Sequence, residues 1–159
     1  MSRRILVTGA TGETGRYATD LLISQGFEIR ALVHKVDERS EKLRARGAEV
    51  IVGDLLDFEA VRHATRGVDA AYFVYPIRPG LIDATAYFAQ ASKEAALNGV
   101  VNMSQLSARE DSKSHAARDH WIASACLIGQ EFRQSTYARR FSRSGSPIPT
   151  TASTYWNAA

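Results

Sequence analysis

The chain has 159 residues, of which 45% are hydrophobic and 23% are charged, and this length and apolar content suit one domain with a buried core. The formal net charge of +3 arises after residue 123, where four arginines accompany one glutamate, so the rest of the chain is neutral and unlike a nucleic-acid-binding protein. No apolar stretch is long enough for a membrane span or a signal peptide, and the single cysteine, Cys126, excludes an internal disulfide. Composition therefore predicts a soluble, cytoplasmic protein with no membrane or nucleic-acid partner.

A glycine-rich turn follows the first apolar run. Residues 5–7 are typical of a buried strand, and a helical pattern with Tyr17, Ala18, Leu21 and Leu22 on one face follows the turn. The first glycine permits a tight turn, the second leaves room for a pyrophosphate, and the third lets the helix pack close to the strand. The spacing predicts a dinucleotide-binding turn, and a structural turn without a ligand is the alternative. The predicted contact residues are Gly9, Thr11, Gly12, Glu13, Thr14 and Gly15.

The second strand is predicted over residues 28–33, and His34 and Lys35 follow it. At this point of a nicotinamide-dinucleotide fold, an acidic side chain accepts from the ribose 2′-OH of NAD, whereas cations suit the 2′-phosphate of NADP. We therefore expect His34 and Lys35 to contact the cofactor and NADP to be preferred. Asp37 keeps NAD as the alternative, and both cations are also compatible with a solvated surface.

The third strand is predicted over residues 49–52, after a short charged helix over residues 38–46. Asp54 and Leu55 leave the end of this strand, where they can meet an adenine ring. Capping or turn formation is the alternative role for Asp54. Asp57 is expected to cap a helix in which Val61 and Ala64 face inward.

The fourth strand, predicted over residues 69–74, is apolar on both faces, as a central parallel strand should be. Val74 and Tyr75 leave it at the carboxyl edge of the sheet, where ligands bind in open α/β folds, and we expect both to contact the dinucleotide. A long helix is predicted over residues 83–97 and a fifth strand over residues 100–104. A polar loop then leads into a helix that carries His115 and His120.

The alternation of strands and helices predicts an α/β fold, a Rossmann-type doubly wound parallel sheet of about five strands formed by residues 1–123. Residues 124–159 show neither helical nor strand periodicity, and residues 142–154 are rich in Ser, Thr and Pro. We therefore expect an irregular or poorly ordered tail and an incomplete C-terminal part of the fold.

Five segments resemble the NmrA-like branch of the atypical short-chain dehydrogenase/reductases: residues 5–15 around Gly9 and Gly12, 30–33, 47–50, 53–55 and 67–70. The resemblance runs from about residue 5 to residue 123. It implies a Rossmann domain followed by a small substrate lobe. It also implies either NAD(P)H-dependent reduction of quinones or similar carbonyl and enone compounds, or NAD(P) binding without turnover in a redox sensor.

After residue 123 the chain resembles the family only in another reading frame. When the last base of each codon is joined to the first two of the next, residues 127–133 can encode Asp-Trp-Ser-Gly-Val-Pro and residues 137–143 can encode Leu-Arg-Pro-Thr-Phe-Phe-Ala. These motifs occur in that order in the family, so we hypothesise a one-base deletion just before residue 124; a divergent tail is the alternative. A truncated chain would lack the elements that close the substrate pocket, which predicts impaired activity and self-association through exposed apolar surface.

Candidate catalytic groups follow the predicted fifth strand. Typical short-chain dehydrogenases use a Ser and a Tyr-x-x-x-Lys pair, which is absent after Ser104, as it generally is in the NmrA-like branch. Ser104 is a candidate to bond a substrate carbonyl, and His120 to donate a proton near neutral pH, with a packing or surface role as the alternative. No cluster has metal-ligand spacing. We expect an NAD(P)H-dependent oxidoreductase acting on a small molecule, and a non-catalytic NAD(P) sensor is the alternative.

Overall fold

The computed structural model describes residues 3–128 and 133–139, with the backbone alone for Ile128 and the last segment. These residues form six strands and five helices that alternate along the chain. The strands are β1 (Arg4–Thr8), β2 (Glu28–Val33), β3 (Glu49–Val52), β4 (Ala70–Phe73), β5 (Gly99–Gln105) and β6 (Arg133–Arg139). The helices are α1 (Glu13–Ser24), α2 (Glu38–Ala45), α3 (Phe58–Thr65), α4 (Leu81–Glu94) and α5 (His115–Ile128).

The strands form one parallel sheet in the order β3-β2-β1-β4-β5-β6. From β1 the chain moves outward to β2 and β3, and it then returns to the other side of β1 to add β4 and β5. The change of direction lies between β1 and β4, and ligands of open α/β sheets bind at the carboxyl edge beside such a point. The predicted doubly wound Rossmann-type sheet is confirmed.

Helices cover both faces of the sheet. One core joins β1, β2, β4 and β5 to α3, α4 and α5, and it includes Leu6, Phe73 and Phe88. The other core lies under α1 and α2 and includes Val7 and Leu43. Each face buries alternate residues of the strands, which is why the central strands are apolar on both faces.

The buried face of α1 differs from the prediction. Tyr17 is 65% exposed and Leu21 is 57% exposed, whereas Gly15 and Thr19 are the buried residues of this helix. The close approach of the helix to β1 requires a small residue at position 15, where a Cβ would meet the backbone of Gly9. Of the four residues predicted on the inner face, Leu22 packs against the core and Ala18 is half-buried, whereas Tyr17 and Leu21 are turned toward solvent, so the predicted face is correct only in part.

The third helix forms as predicted. Asp57 precedes it, and its carboxylate accepts hydrogen bonds from the backbone N–H groups of Glu59 and Ala60 at 3.0 and 3.3 Å. Val61 and Ala64 are fully buried. The cap satisfies two of the N–H groups that have no partner in the first turn of a helix.

Ion pairs and hydrogen bonds fasten the amino edge of the sheet. The buried guanidinium of Arg30 on β2 donates to Glu49 Oε2 at 2.9 Å and to the carbonyl oxygens of Ala64 and Arg66 at 3.1 and 2.6 Å. One side chain therefore links β2, β3 and the end of α3. A buried charge is stable only when it is paired and hydrogen-bonded in this way.

The predicted start of an irregular tail at residue 124 is wrong for the residues that the structure describes beyond it. Helix α5 continues to Ile128, and β6 pairs with β5 from Gly99 to Gln105. The outer edge of β5 offers N–H and C=O groups that a neighbouring segment can satisfy whatever its side-chain pattern. The side-chain pattern of β6 therefore did not predict a strand. The rest of the predicted tail, residues 129–132 and 140–159, lies outside the described residues.

Within residues 3–128 and 133–139, no helix combines the length and the apolar character that crossing a membrane requires.

Candidate functional site

The glycine turn joins β1 to α1 at the carboxyl edge. Gly9 has a φ of +58°, and its carbonyl accepts from the N–H of Gly12 at 2.9 Å. A Cβ on Gly15 would overlap the carbonyl of Gly9 and lie 2.9 Å from the Cα of Ala10. Gly12 is the N-cap of α1, and no side chain caps this helix. The predicted roles of the first and third glycines in the turn therefore agree with the geometry, and the helix N-terminus carries no side-chain cap.

The turn is tied to the end of β4 by Thr8. The Thr8 hydroxyl accepts from the N–H of Val74 at 2.7 Å and donates to the Val74 carbonyl at 2.9 Å. A Cβ on Gly9 would lie 3.4 Å from the Cβ of Val74, which is ordinary contact. Val74 thus lies beside the glycine turn, and its contact with the dinucleotide stays a prediction. Thr8 is a contact that the sequence analysis missed.

A groove of about 310 Å³ extends from the glycine turn toward α2. Its walls bring together the turn, the outer side of α1 and the side of α2, with an excess of basic side chains. The residues lining it are Ala10, Thr11, Gly12, Glu13, Arg16, Asp20, Arg39, Lys42, Leu43 and Arg46. Three of the predicted cofactor residues, Thr11, Gly12 and Glu13, therefore share a groove with four cations that the sequence analysis did not select.

Asp37 is fully engaged at the start of α2. Its carboxylate accepts from the N–H groups of Arg39 and Ser40 at 3.0 and 3.1 Å and pairs with the Arg39 guanidinium at 2.6 Å. The hydrogen bond from the Arg39 side chain, followed by that from the Ser40 N–H, lowers the pKa of Asp37. Asp37 is therefore the helix cap and an ion-pair partner, and the guanidinium beside it faces the groove.

His34 and Asp54 meet where β2 and β3 end. His34 Nδ1 lies 3.5 Å from Asp54 Oδ2, and Asp54 Oδ1 also accepts from the N–H of Leu56 at 2.9 Å. The turn role weighed for Asp54 is present, alongside a contact with His34. Lys35 is exposed beside them, and Leu55 is half-buried against the core. None of these four residues lines the basic groove.

Tyr75 is folded into the loop that follows β4. It is 4% exposed, and its hydroxyl donates to the carbonyl of Pro79 at 2.9 Å. The Arg78 guanidinium covers its ring, with Cζ 5.3 Å from the ring centroid. The phenol is therefore committed to the loop, so the predicted cofactor contact of Tyr75 would have to be made by its backbone.

Two buried polar atoms without partners mark the facing surfaces of β5 and α5. Ser104 and His120 are each 5% exposed, and neither Ser104 Oγ nor His120 Nε2 has a hydrogen-bond partner. Asn102 Nδ2 donates to Ser124 Oγ at 3.3 Å, and Ser124 Oγ donates to the carbonyl of His120. Ser104 lies two residues beyond Asn102 on β5, and His120 lies one turn before Ser124 on α5, so both are displaced from this contact toward the carboxyl edge.

Burial lowers the pKa of His120, and the nearby carboxylate of Asp119 only partly opposes this effect. The ring is therefore neutral near pH 7. A neutral imidazole can form hydrogen bonds and pass a proton, so proton donation by His120 stays a prediction.

The candidate site therefore consists of a glycine turn, a basic groove and two buried polar atoms without partners, Ser104 Oγ and His120 Nε2, at one edge of a Rossmann-type sheet. The sequence model of the NmrA-like family matches residues 1–141. The chain belongs to the NmrA-like family. The match extends beyond residue 123, where the resemblance by motifs ended.

One relative of this NmrA-like protein is the NAD(P)H azoreductase of Xenophilus azovorans, which is 30% identical over 118 residues. The aligned region covers 74% of this chain and 40% of the azoreductase. The chain spans less than half the length of this relative.

Two solved structures share the fold. The triphenylmethane reductase of Citrobacter sp., complexed with NADP(H), superposes with a TM-score of 0.75 at 23% identity, covering 86% of this chain and 50% of the reductase. The NADPH-dependent quinone oxidoreductase of Escherichia coli, complexed with NADPH, superposes with a TM-score of 0.76 at 24% identity, covering 86% and 49%. At these identities the likeness establishes the fold.

Proposed function

We propose that this NmrA-like protein binds a nicotinamide dinucleotide and is a reductase that acts on a quinone or a similar carbonyl or enone compound. The observation that carries the proposal is that no side chain caps the N-terminus of α1. This helix end lies beside a turn that requires glycine at position 15, because a Cβ there would overlap the backbone of Gly9. The azoreductase and the two structural neighbours are named as reductases, and two of these names include NADP(H) or NADPH.

The turn fits a dinucleotide pyrophosphate. Gly12 presents no side chain, and the first turn of α1 directs its dipole and N–H groups toward the place where an anion would bind. Gly9, Gly12 and Gly15 would hold the phosphates, with Thr11, Glu13 and Thr14 beside them. Val74 would border the cofactor from the β4 side, because its backbone is fixed to Thr8.

NADP is the proposed cofactor, and the basic groove supports it more directly than His34 and Lys35 do. Arg39 and Lys42 line the groove next to Gly12, on the α2 side where the adenosine ribose of a Rossmann cofactor lies. Asp37 already caps α2 and pairs with Arg39, so it is poorly placed to accept from a ribose 2′-OH. A guanidinium is the side chain best suited to a phosphate.

Ser104 and His120 are the proposed catalytic residues. When bound, a reduced nicotinamide supplies a hydride, and the reduction of a carbonyl is completed by one proton from elsewhere. The unpartnered Ser104 hydroxyl is available to donate to the acceptor oxygen, where negative charge develops. The neutral ring of His120 is available at Nε2 to bond the same acceptor or a water that supplies the proton.

The test is the consumption of NADPH by the full chain with a panel of quinones, followed by the absorbance of the reduced nicotinamide. Ser104→Ala and His120→Gln should lower turnover by at least about tenfold while leaving NADPH affinity unchanged. Ser107→Ala is the matched control, because Ser107 is exposed just beyond the strand. Turnover that persists in both site variants would overturn the catalytic assignment.

A non-catalytic NAD(P) sensor is the second candidate. The uncapped glycine turn serves binding alone equally well. Tight binding of NADPH, followed through Trp121 fluorescence, with no consumption by any quinone of the panel would favour the sensor.

A further inference from the structure

The loop between β4 and α4 carries a cation that has no acidic partner. Arg78 is exposed, and its guanidinium contacts the ring of Tyr75 without an ion pair to any residue that the structure describes. Arg39 and Arg109, in the segments that follow β2 and β5, pair instead with Asp37 and Asp111. The Arg78 guanidinium therefore keeps its polar edge available for an anion.

The loop holds this cation in a defined place. The Arg78 N–H donates to the carbonyl of Pro76 at 2.8 Å, and the Tyr75 hydroxyl donates to the carbonyl of Pro79. Gly80 has a φ of +96°, and a Cβ there would lie 2.8 Å from the Tyr75 hydroxyl oxygen. Two prolines and a glycine thus close the loop around the Tyr75 ring and restrict the backbone that carries Arg78.

The position of the loop separates Arg78 from the cations of the basic groove. Strand β4 lies between β1, whose end carries the glycine turn, and β5, whose end carries Ser104. The proposed function assigns the α1 N-terminus and Arg39 to the cofactor, on the β2 side of the turn. Arg78 lies in the loop after β4, between the strand ends that carry the glycine turn and Ser104.

Apolar side chains are exposed beside this cation. Ile77 is 62% exposed, and Leu56 is 42% exposed, with its methyl groups 3.0 and 3.1 Å from where a Cβ of Gly80 would lie. A ligand that matches these neighbours combines an apolar ring system with an acidic substituent. We propose that Arg78 binds an anionic group, a sulfonate or carboxylate, of an aromatic acceptor.

This inference rests on the proposed reductase function, because the acceptor is the substrate of that activity. Its test is the binding of anthraquinone sulfonate to the NADP-loaded full chain by calorimetry, compared with hydroxymethyl-anthraquinone, a neutral compound of similar size. Arg78→Gln should raise the dissociation constant of the sulfonate by about three- to fivefold, as expected for an exposed ion pair, and leave that of the neutral compound unchanged. Added salt should weaken sulfonate binding to the parent chain more than to Arg78→Gln.

Arg66→Gln is the matched control, because Arg66 is an exposed arginine at the end of α3, on the amino edge of the sheet. Equal effects of the two substitutions on sulfonate binding would overturn the proposal, as would a loss of NADPH affinity in Arg78→Gln. Arg78-dependent binding of the sulfonate without any NADPH consumption would leave the anion site standing and reject the reductase function. NADPH consumption with a sulfonate affinity that does not depend on Arg78 would do the reverse.

Discussion

The Thr8 hydroxyl bonds both backbone polar groups of Val74, accepting from the N–H at 2.7 Å and donating to the carbonyl at 2.9 Å. The last β1–β4 pair in the sheet is Val7 with Tyr72, so this side chain continues the connection just beyond the ladder. It thereby fixes the glycine turn relative to the loop that carries Arg78, although the two segments are far apart in sequence.

Replacing Thr8 by Val should therefore destabilise the protein. The change keeps the shape of the side chain but leaves the N–H and carbonyl of Val74 without their partner, at an expected cost of about 1–3 kcal/mol. Urea unfolding measures the loss. Thr8→Ser, which keeps the hydroxyl, is the control and should recover most of it; equal losses in both variants would assign the effect to packing instead.

The glycines of the turn should separate folding from binding. A Cβ at position 15 meets the backbone of Gly9, so Gly15→Ala should lower stability by more than about 1 kcal/mol and abolish NADPH binding. At position 12 the backbone has a φ of −80°, which alanine adopts, and the Cβ would lie 3.1 Å from the Gly9 carbonyl oxygen. Gly12→Ala should therefore lose less stability than Gly15→Ala, yet bind NADPH weakly. Normal NADPH affinity in Gly12→Ala would contradict the proposed pyrophosphate site.

Arg39→Gln should weaken the binding of NADPH, by about tenfold if a charge-assisted bond to the 2′-phosphate is lost, without affecting NADH. Arg44→Gln is the control, because Arg44 lies on the same helix and pairs with Glu41 outside the groove. Fluorescence titrations with both cofactors supply the comparison. A similar loss for NADH would show that Arg39 acts on the common part of the two dinucleotides.

His120 should make the protein less stable in mild acid. Burial lowers its pKa in the folded chain below the ordinary value of 6.5, so between the two values the unfolded chain binds a proton that the folded chain does not. Stability from this source is complete above about pH 6.5 and declines as the pH falls below it. His120→Gln should flatten the decline of the urea midpoint between about pH 7.5 and pH 5.5, and an unchanged decline would contradict this origin.

The reading-frame hypothesis predicts that restoring one base before codon 124 reduces self-association of the protein. The restored chain should continue in the family pattern, bury apolar side chains such as Trp121 and Ile122, which are 40% and 41% exposed here, and associate less with itself. Light scattering compares the two chains. If the restored frame soon meets a stop codon, or if the longer chain aggregates more than the present one, the tail is a divergent one.

Local patterns were sufficient for most of the fold. The alternation in residues 28–33 and the spacing of the glycines depend on neighbours a few positions away, and the structure has strands and turns at those places. The cap at Asp57 was predictable for the same reason, since its partners are Glu59 and Ala60.

Contacts between distant elements could not be predicted in this way. The groove that joins Gly12 to Arg39 requires knowing how α1 packs beside α2, and the Thr8–Val74 bonds require the order of the strands. Likewise, β6 forms by pairing with β5, and its own residues carry no strand pattern. The sequence analysis therefore chose His34 and Lys35 as cofactor contacts because they directly follow β2. The groove is instead lined by side chains of α2.

The Arg30 guanidinium makes the amino edge of the sheet more rigid than the carboxyl edge. By bonding Glu49, Ala64 and Arg66 together, it ties β2 and β3 to the end of α3 at the amino edge. We therefore expect a ligand that displaces His34 or Asp54 at the opposite edge to be accommodated by rotation of side chains and by the loops themselves. Strain introduced at the cofactor edge should remain local, and its propagation through the strands should be small.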